Sequence, residues 1–153
     1  QAFFLILDSI QDPQNLGSLV RTANAAGVHG VIIPKDRASE VTSTVVKTSA
    51  GATEVTPVAR ETNLTRAIER LKEEGVWVAA VEGGSSETVY SADLDRDIAI
   101  VIGSEGRGIR RLVKESCDFC VSIPMYGEIS SLNAAQAGAV ALFEARRQRL
   151  KAK

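Results

Sequence analysis

Five short apolar runs constrain how this chain can fold. They are FFLILD at 3–8, VHGVII at 28–33, VWVAAV at 76–81, IAIVIG at 98–103 and FCVSIP at 119–124. A strand with one wet face alternates apolar and polar residues, whereas these runs are apolar almost throughout, so both of their faces must be covered. Each is about the length of a strand and much shorter than a membrane span. A weaker strand is expected around 54–59.

The intervening segments read as helices, at about 15–26, 38–50, 62–75, 108–117 and 132–150. The stretch TNLTRAIERLKEEG shows the pattern most clearly, with a polar cap, Leu64, Ile68 and Leu71 at helical spacing, and Gly75 at its end. Buried strands alternating with helices predict an α/β fold, a parallel sheet covered by helices on both faces. At 153 residues the chain is expected to form one domain, 1–153. The opening AFFLIL lacks a basic lead and runs into Asp8, so it reads as the first strand rather than a secretory signal. A cytoplasmic protein with no membrane segment is the expectation.

No metal site is expected. Cys117 and Cys120 form a single CDFC pair and the only histidine, His29, is remote in sequence. A structural zinc site wants about four ligands. A redox CxxC opens a helix after a strand, whereas this pair closes a helix and enters a strand. Two reduced, structural cysteines are the simpler reading.

The net charge of −1 hides an uneven distribution. GRGIRRLVK at 106–114 holds four basic residues, and EARRQRLKAK at 144–153 holds five against one acid. The other 134 residues carry 9 basic and 18 acidic side chains. Two basic segments on an acidic chain are a possible footprint for phosphates, although basic residues also suit a helix C-terminus.

Ligands of parallel sheets gather outside the carboxyl ends of the strands. Three polar loops stand out there, 8–15, 103–108 and 124–133. The second reads Gly103-Ser-Glu-Gly106-Arg-Gly108 and fits neither a dinucleotide fingerprint nor a P-loop. Glu105 inside it would repel a pyrophosphate, and would suit a cationic ligand or one that donates hydrogen bonds. Equally, Glu105 could cap the helix that follows. In the first loop, Asp12-Pro13 makes a turn, Asn15 is a candidate helix cap, and Gly17 permits close approach. Arg21 then reads either as a surface side chain or as an anion clamp. In the third, Ser130, Ser131 and Asn133 meet the start of a helix rich in small residues, and exceed what one cap requires.

Taken together, DPQNLGSLVRTANAAG, IGSEGRGI and IPMYGEISSLNAAQAGAVALFEA resemble, in order and spacing, the three motifs of the SpoU (TrmH-like) RNA ribose methyltransferases of the SPOUT superfamily. The resemblance spans nearly the whole chain and is greatest to the branch that methylates a guanosine ribose in 23S ribosomal RNA. It implies a C-terminal trefoil knot, an exception to the unknotted norm, a homodimer with the active site near the subunit interface, and an N-terminal RNA-binding domain outside these 153 residues. It also implies S-adenosylmethionine as cofactor, bound at Gly103, Ile123 and Leu132 with Glu105, Met125, Ser131 and Asn133 nearby. Asn15 and Arg21 match the catalytic pair, with Glu105, Ser131 and Asn133 supporting them. Arg21, Arg107, Arg110 and Arg111 would meet RNA. Tyr126 is the one aromatic near the site for base stacking. A transfer-RNA target is the alternative within the enzyme class. A non-catalytic RNA-binding scaffold is the alternative outside it, although it predicts loss of the Asn15/Arg21 pair, which is present.

Overall fold

The computed structural model describes residues 1–36 and 40–151. Six strands form one parallel sheet in the order β3-β2-β1-β5-β4-β6. They are β1 Phe3–Asp8, β2 Gly30–Pro34, β3 Val58–Glu61, β4 Trp77–Val81, β5 Ile98–Gly103 and β6 Phe119–Val121. The helices are α1 Pro13–Ala26, α2 Ser43–Thr48, α3 Ala52–Val55, α4 Leu64–Glu73, α5 Arg111–Ser116 and α6 Ala134–Lys151. The expected α/β class holds.

The alternation of strand side chains explains why the runs are apolar throughout. Leu5 and Leu7 of β1 and Ile98, Ile100 and Ile102 of β5 join one core cluster with Leu16, Leu19 and Val20 of α1 and Ala141, Leu142 and Ala145 of α6. Ile6, Ala99 and Val101 point the other way, into a second cluster with Ile68 of α4 and Val113 of α5. Two glycines let the helices close up. A Cβ on Gly138 would lie 2.4 Å from Leu19 Cδ2, bringing α6 onto α1. A Cβ on Gly17 would lie 2.7 Å from Thr48 Cβ, so the segment that approaches Gly17 is α2.

Four boundaries differ from expectation. The helix foreseen over 38–50 is two short ones, α2 and α3, with residues 37–39 outside the described residues. Ala50 and Gly51 both take left-handed φ values, 56° and 82°, and end α2. The strand expected at 54–59 is displaced to 58–61, because α3 occupies 52–55 and Pro57, lacking an N–H, separates the two. Helix α1 starts at Pro13 and its cap is Asp12, whose Oδ1 accepts from Gln14 N–H at 2.9 Å, so Asn15 sits inside the first turn. Strand β6 stops at Val121. Ser122 makes one further bridge, to Thr88, and the chain then leaves the sheet.

Candidate functional site

The carboxyl ends of β4, β5 and β6 surround a cleft of about 330 Å³. Ile102 and the small residues Ala134 and Ala137 of α6 line its interior, the glycine turn 103–108 forms one wall, and Ile123, Met125 and Ser130–Leu132 form another. Of the residues tied to the cofactor by resemblance, Gly103, Glu105, Ile123, Met125, Ser131 and Leu132 all line this one space. Asn133 does not. Its Oδ1 accepts from Gln136 N–H at 2.8 Å, which makes it the N-cap of α6.

The hydrogen bonds of the glycine turn resolve which ligand could use it. Arg107 N–H donates to Glu105 O at 2.9 Å, and Gly108 N–H donates to Ser104 O at 2.8 Å. Ile109 N–H donates to Glu82 Oε1 at 3.1 Å, and Arg110 N–H donates to Asp8 Oδ2 at 2.8 Å. A phosphate cradle needs free N–H groups aimed outward. Here four in succession, from Arg107 to Arg110, are already occupied within the protein, two of them by carboxylates, and Glu105 adds an exposed carboxylate, so this end of the turn is a poor host for a pyrophosphate. A Cβ on Gly103 would fall 2.3 Å from the carbonyl carbon of Gly108, so only glycine allows the turn to fold back this tightly. Glu105 stays exposed in the turn. It does not cap α5, whose N-cap position is Arg110.

Behind the turn lies a buried ion pair. Asp8 is fully buried at the end of β1 and accepts from Arg110 Nε at 2.8 Å, with the Arg110 terminal nitrogen 2.7 Å from the same oxygen. Ser9, the next residue, holds a left-handed φ of 63°. The chain turns there into a second, wider cleft of about 710 Å³. This space is lined by Asn15 and Arg110 and shares Glu105, Arg107 and Gly108 with the first, so the glycine turn is a partition between the two.

Arg21 is not brought to this place. It is exposed on α1 and lines neither cleft. Six residues along an α-helix amount to about 240° of rotation and 9 Å of rise, so Asn15 and Arg21 point away from each other in this chain.

Most of the charge in the two basic segments is spent inside the chain. Arg110 pairs with Asp8, Arg111 with Glu115 at 3.0 Å, and Lys114 with Glu82 at 3.6 Å. In the tail, Arg147 pairs with Glu144, Arg146 donates to the carbonyls of Ala26 and Gly27, and Arg149 donates to those of Arg96 and Gln1. Burial, followed by the neighbouring Arg146, pulls the Arg149 guanidinium below its ordinary pKa. Arg107 is the exposed cation on the rim of both clefts. A count of basic residues cannot reveal the distant partners, Asp8 of β1 for Arg110, Glu82 after β4 for Lys114, and Gln1 for Arg149.

Cys117 and Cys120 are free thiols. Burial, then Cys120 and Asp118, push the Cys117 pKa up to about 12. His29 Nδ1 accepts from Phe3 N–H at 3.1 Å, a role in the sheet margin. Among the described residues no group of three or more His, Cys, Asp or Glu is placed to hold a metal, and no helix is long and apolar enough to cross a membrane.

Two residues escaped the sequence reading. Asp8 read only as the end of a strand, and Glu82 lies in a loop, 82–87, that was not among the three singled out. The signal was present, because Glu-Gly-Gly follows VWVAAV at a strand's carboxyl end.

Comparison with known proteins adds to this geometry. The model of the SpoU rRNA Methylase family matches residues 2–143. YacO of Bacillus subtilis is 51% identical over 149 residues, covering 97% of this chain and 60% of YacO. The 23S rRNA (guanosine-2'-O-)-methyltransferase RlmB of Escherichia coli is 48% identical over 149 residues, covering 97% of this chain and 61% of RlmB. The crystal structure of the SpoU methyltransferase AviRb from Streptomyces viridochromogenes, in complex with the cofactor AdoMet, superposes with a TM-score of 0.91 at 29% identity, over 98% of this chain and 61% of AviRb. The chain therefore spans about three fifths of the length of these relatives.

Proposed function

This chain belongs to the SpoU rRNA methylase family, and from that premise we propose that residues 1–153 are the catalytic domain of a longer enzyme that methylates a ribose 2′-hydroxyl of RNA, a guanosine in 23S ribosomal RNA, using S-adenosylmethionine. The observation that carries this is the convergence of Gly103, Glu105, Ile123, Met125, Ser131 and Leu132 on one cleft from three separate stretches of sequence. Its chemistry suits the cofactor. Ile102, Ile123 and Leu132 offer apolar surface to a base, and carboxylates at the turn favour hydroxyls and positive charge. The N–H groups of 107–110 are already occupied within the chain, which disfavours a pyrophosphate inside the turn.

Bound there, the cofactor supplies an electrophilic methyl on a sulfonium sulfur. Asn15 and Arg107, on the second cleft, hold the incoming ribose and its phosphate against the shared wall. Arg21 would serve as a phosphate clamp that polarises the hydroxyl, whose proton would pass to water as the methyl leaves the sulfonium for that oxygen. Its exposed position away from both clefts supports a homodimer in which the partner subunit's α1 completes the site. The motif resemblance also implies a C-terminal trefoil knot, and the likeness in fold to AviRb is compatible with it.

The test is calorimetric titration with S-adenosylhomocysteine of the chain and of Arg21→Ala, followed by methyl transfer to 23S and transfer RNA by the full-length protein. Both forms should bind within about twofold of each other, while Arg21→Ala loses about 10²–10⁴ in transfer rate. A folded wild type that fails to bind would overturn the reading in favour of a scaffold. Transfer to transfer RNA alone would move the target.

A further inference from the structure

We infer that Glu82 is a further binding residue for the methyl donor, taking hydrogen bonds from the vicinal hydroxyls of its ribose. The inference rests on the cofactor reading of the cleft and concerns a residue that the motif resemblance does not include.

Glu82 follows directly after β4 and lines the cleft beside Gly83 and across from Ile123. Its side chain is 22% exposed, so it is largely desolvated but still open on one side. Oε1 accepts from Ile109 N–H, and Oε2 lies 3.6 Å from Lys114 Nζ. Ionised carboxylates have about four lone-pair sites. Ile109 N–H engages one on Oε1, while Lys114 at 3.6 Å is an ion-pair neighbour beyond hydrogen-bond reach, so each oxygen keeps a free acceptor site, and two adjacent acceptors match two adjacent hydroxyls. The Lys114 contact also selects the type of donor. A carboxylate already opposite an ammonium gains less from a second cation than from neutral hydroxyl donors.

Glu82 also explains the last glycine of the turn. A Cβ on Gly108 would lie 2.7 Å from Glu82 Oε1, and Gly108 has a left-handed φ of 67°. The turn and the carboxylate are therefore built around each other. A residue in that position either acts only by shaping the turn or also touches what the turn holds, and a double-mutant cycle separates these.

The experiment measures calorimetric affinity of S-adenosylhomocysteine and of its 2′-deoxy and 3′-deoxy analogues for the wild-type chain and for Glu82→Gln, with the melting temperature of each ligand-free protein. Glutamine keeps an acceptor for Ile109 and fills the same volume. The expected result is about a tenfold loss of S-adenosylhomocysteine affinity in Glu82→Gln. Removing a hydroxyl should cost wild type about tenfold, yet cost Glu82→Gln no more than about twofold. Equal losses for all three ligands would show that Glu82 acts through the turn alone, and would overturn the proposed contact. Wild type binding none of the three would remove the cofactor reading itself, a result distinct from the first.

Discussion

Residues 103–110 and residues 124–132 line the same cleft, but they are held very differently. In the first segment each N–H from Arg107 to Arg110 has a partner, supplied by the turn itself or by carboxylates from β1 and β4. In the second, no hydrogen bond between described residues pins the backbone from Pro124 to Leu132. Tyr126 is 93% exposed and Ile129 75% exposed there. One wall is thus pre-formed by the fold, and the other acquires its contacts from whatever enters. A pre-formed wall lowers the ordering cost of binding, while a loose one admits a large substrate.

The largest effect should come from spoiling the stitched wall at its tightest point. Gly103→Ala places a methyl group 2.3 Å from backbone, which cannot yield as a side chain would. Affinity for S-adenosylhomocysteine should fall by about 100-fold or more, at a stability cost of about 1–3 kcal/mol. If calorimetry shows affinity within threefold of wild type, the wall is not rigid and the contrast between the two segments collapses.

Next in size is Asp8→Asn, which keeps the shape of the buried partner but removes the charge that faces Arg110. Breaking one side of a buried pair costs about 3–5 kcal/mol. Arg110 is 37% exposed and can recover some hydration, so about 2–3 kcal/mol is expected in urea denaturation. A loss under 1 kcal/mol would mean that the turn is held by its own two hydrogen bonds and by Glu82, without Asp8.

The loose wall should respond in the opposite sense. Tyr126→Ala should change stability by less than about 0.5 kcal/mol, because the ring touches little in this fold. If the ring stacks on a base of the RNA substrate, affinity for RNA should fall by about tenfold with affinity for S-adenosylhomocysteine unchanged. Equal loss of both affinities would sharpen the picture differently, by placing the loop over the cofactor.

The smallest effect lies at the foot of the stitched wall. Cys117 caps the end of α5, and burial pushes its thiol pKa up to about 12 from an ordinary 9.0. The neutral thiol is the form that the native state prefers. Its contribution to stability is therefore complete below about pH 9 and is lost as pH rises through about 12. Cys117→Ser should show a flatter decline over that window than wild type, and parallel declines would place the thiol in water rather than in the core.

Much of this was legible from sequence because it depends on local pattern. Continuous apolar runs such as IAIVIG required a strand covered on both sides, and the structure divides Ile98, Ile100 and Ile102 from Ala99 and Val101 between two cores. The three motif loops were visible as polar interruptions at strand ends. The short α2 and α3 were less visible, since β-branched residues such as Thr44, Val45 and Val46 carry weak and conflicting preferences that packing on α1 decides.

The sequence by itself determined the fold class, the three loops and the family, because each is written in residues near one another along the chain. Tertiary structure alone decided what those residues face. It turned single residues of the basic segments toward distant partners, Arg110 to Asp8 and Arg149 to Gln1. It brought Glu82 into the cleft, against the backbone of the glycine turn's far end. The physical reason is that charge compensation and hydrogen bonding act over about 3 Å of space, and the separation along the chain of the groups they join is not encoded in local pattern.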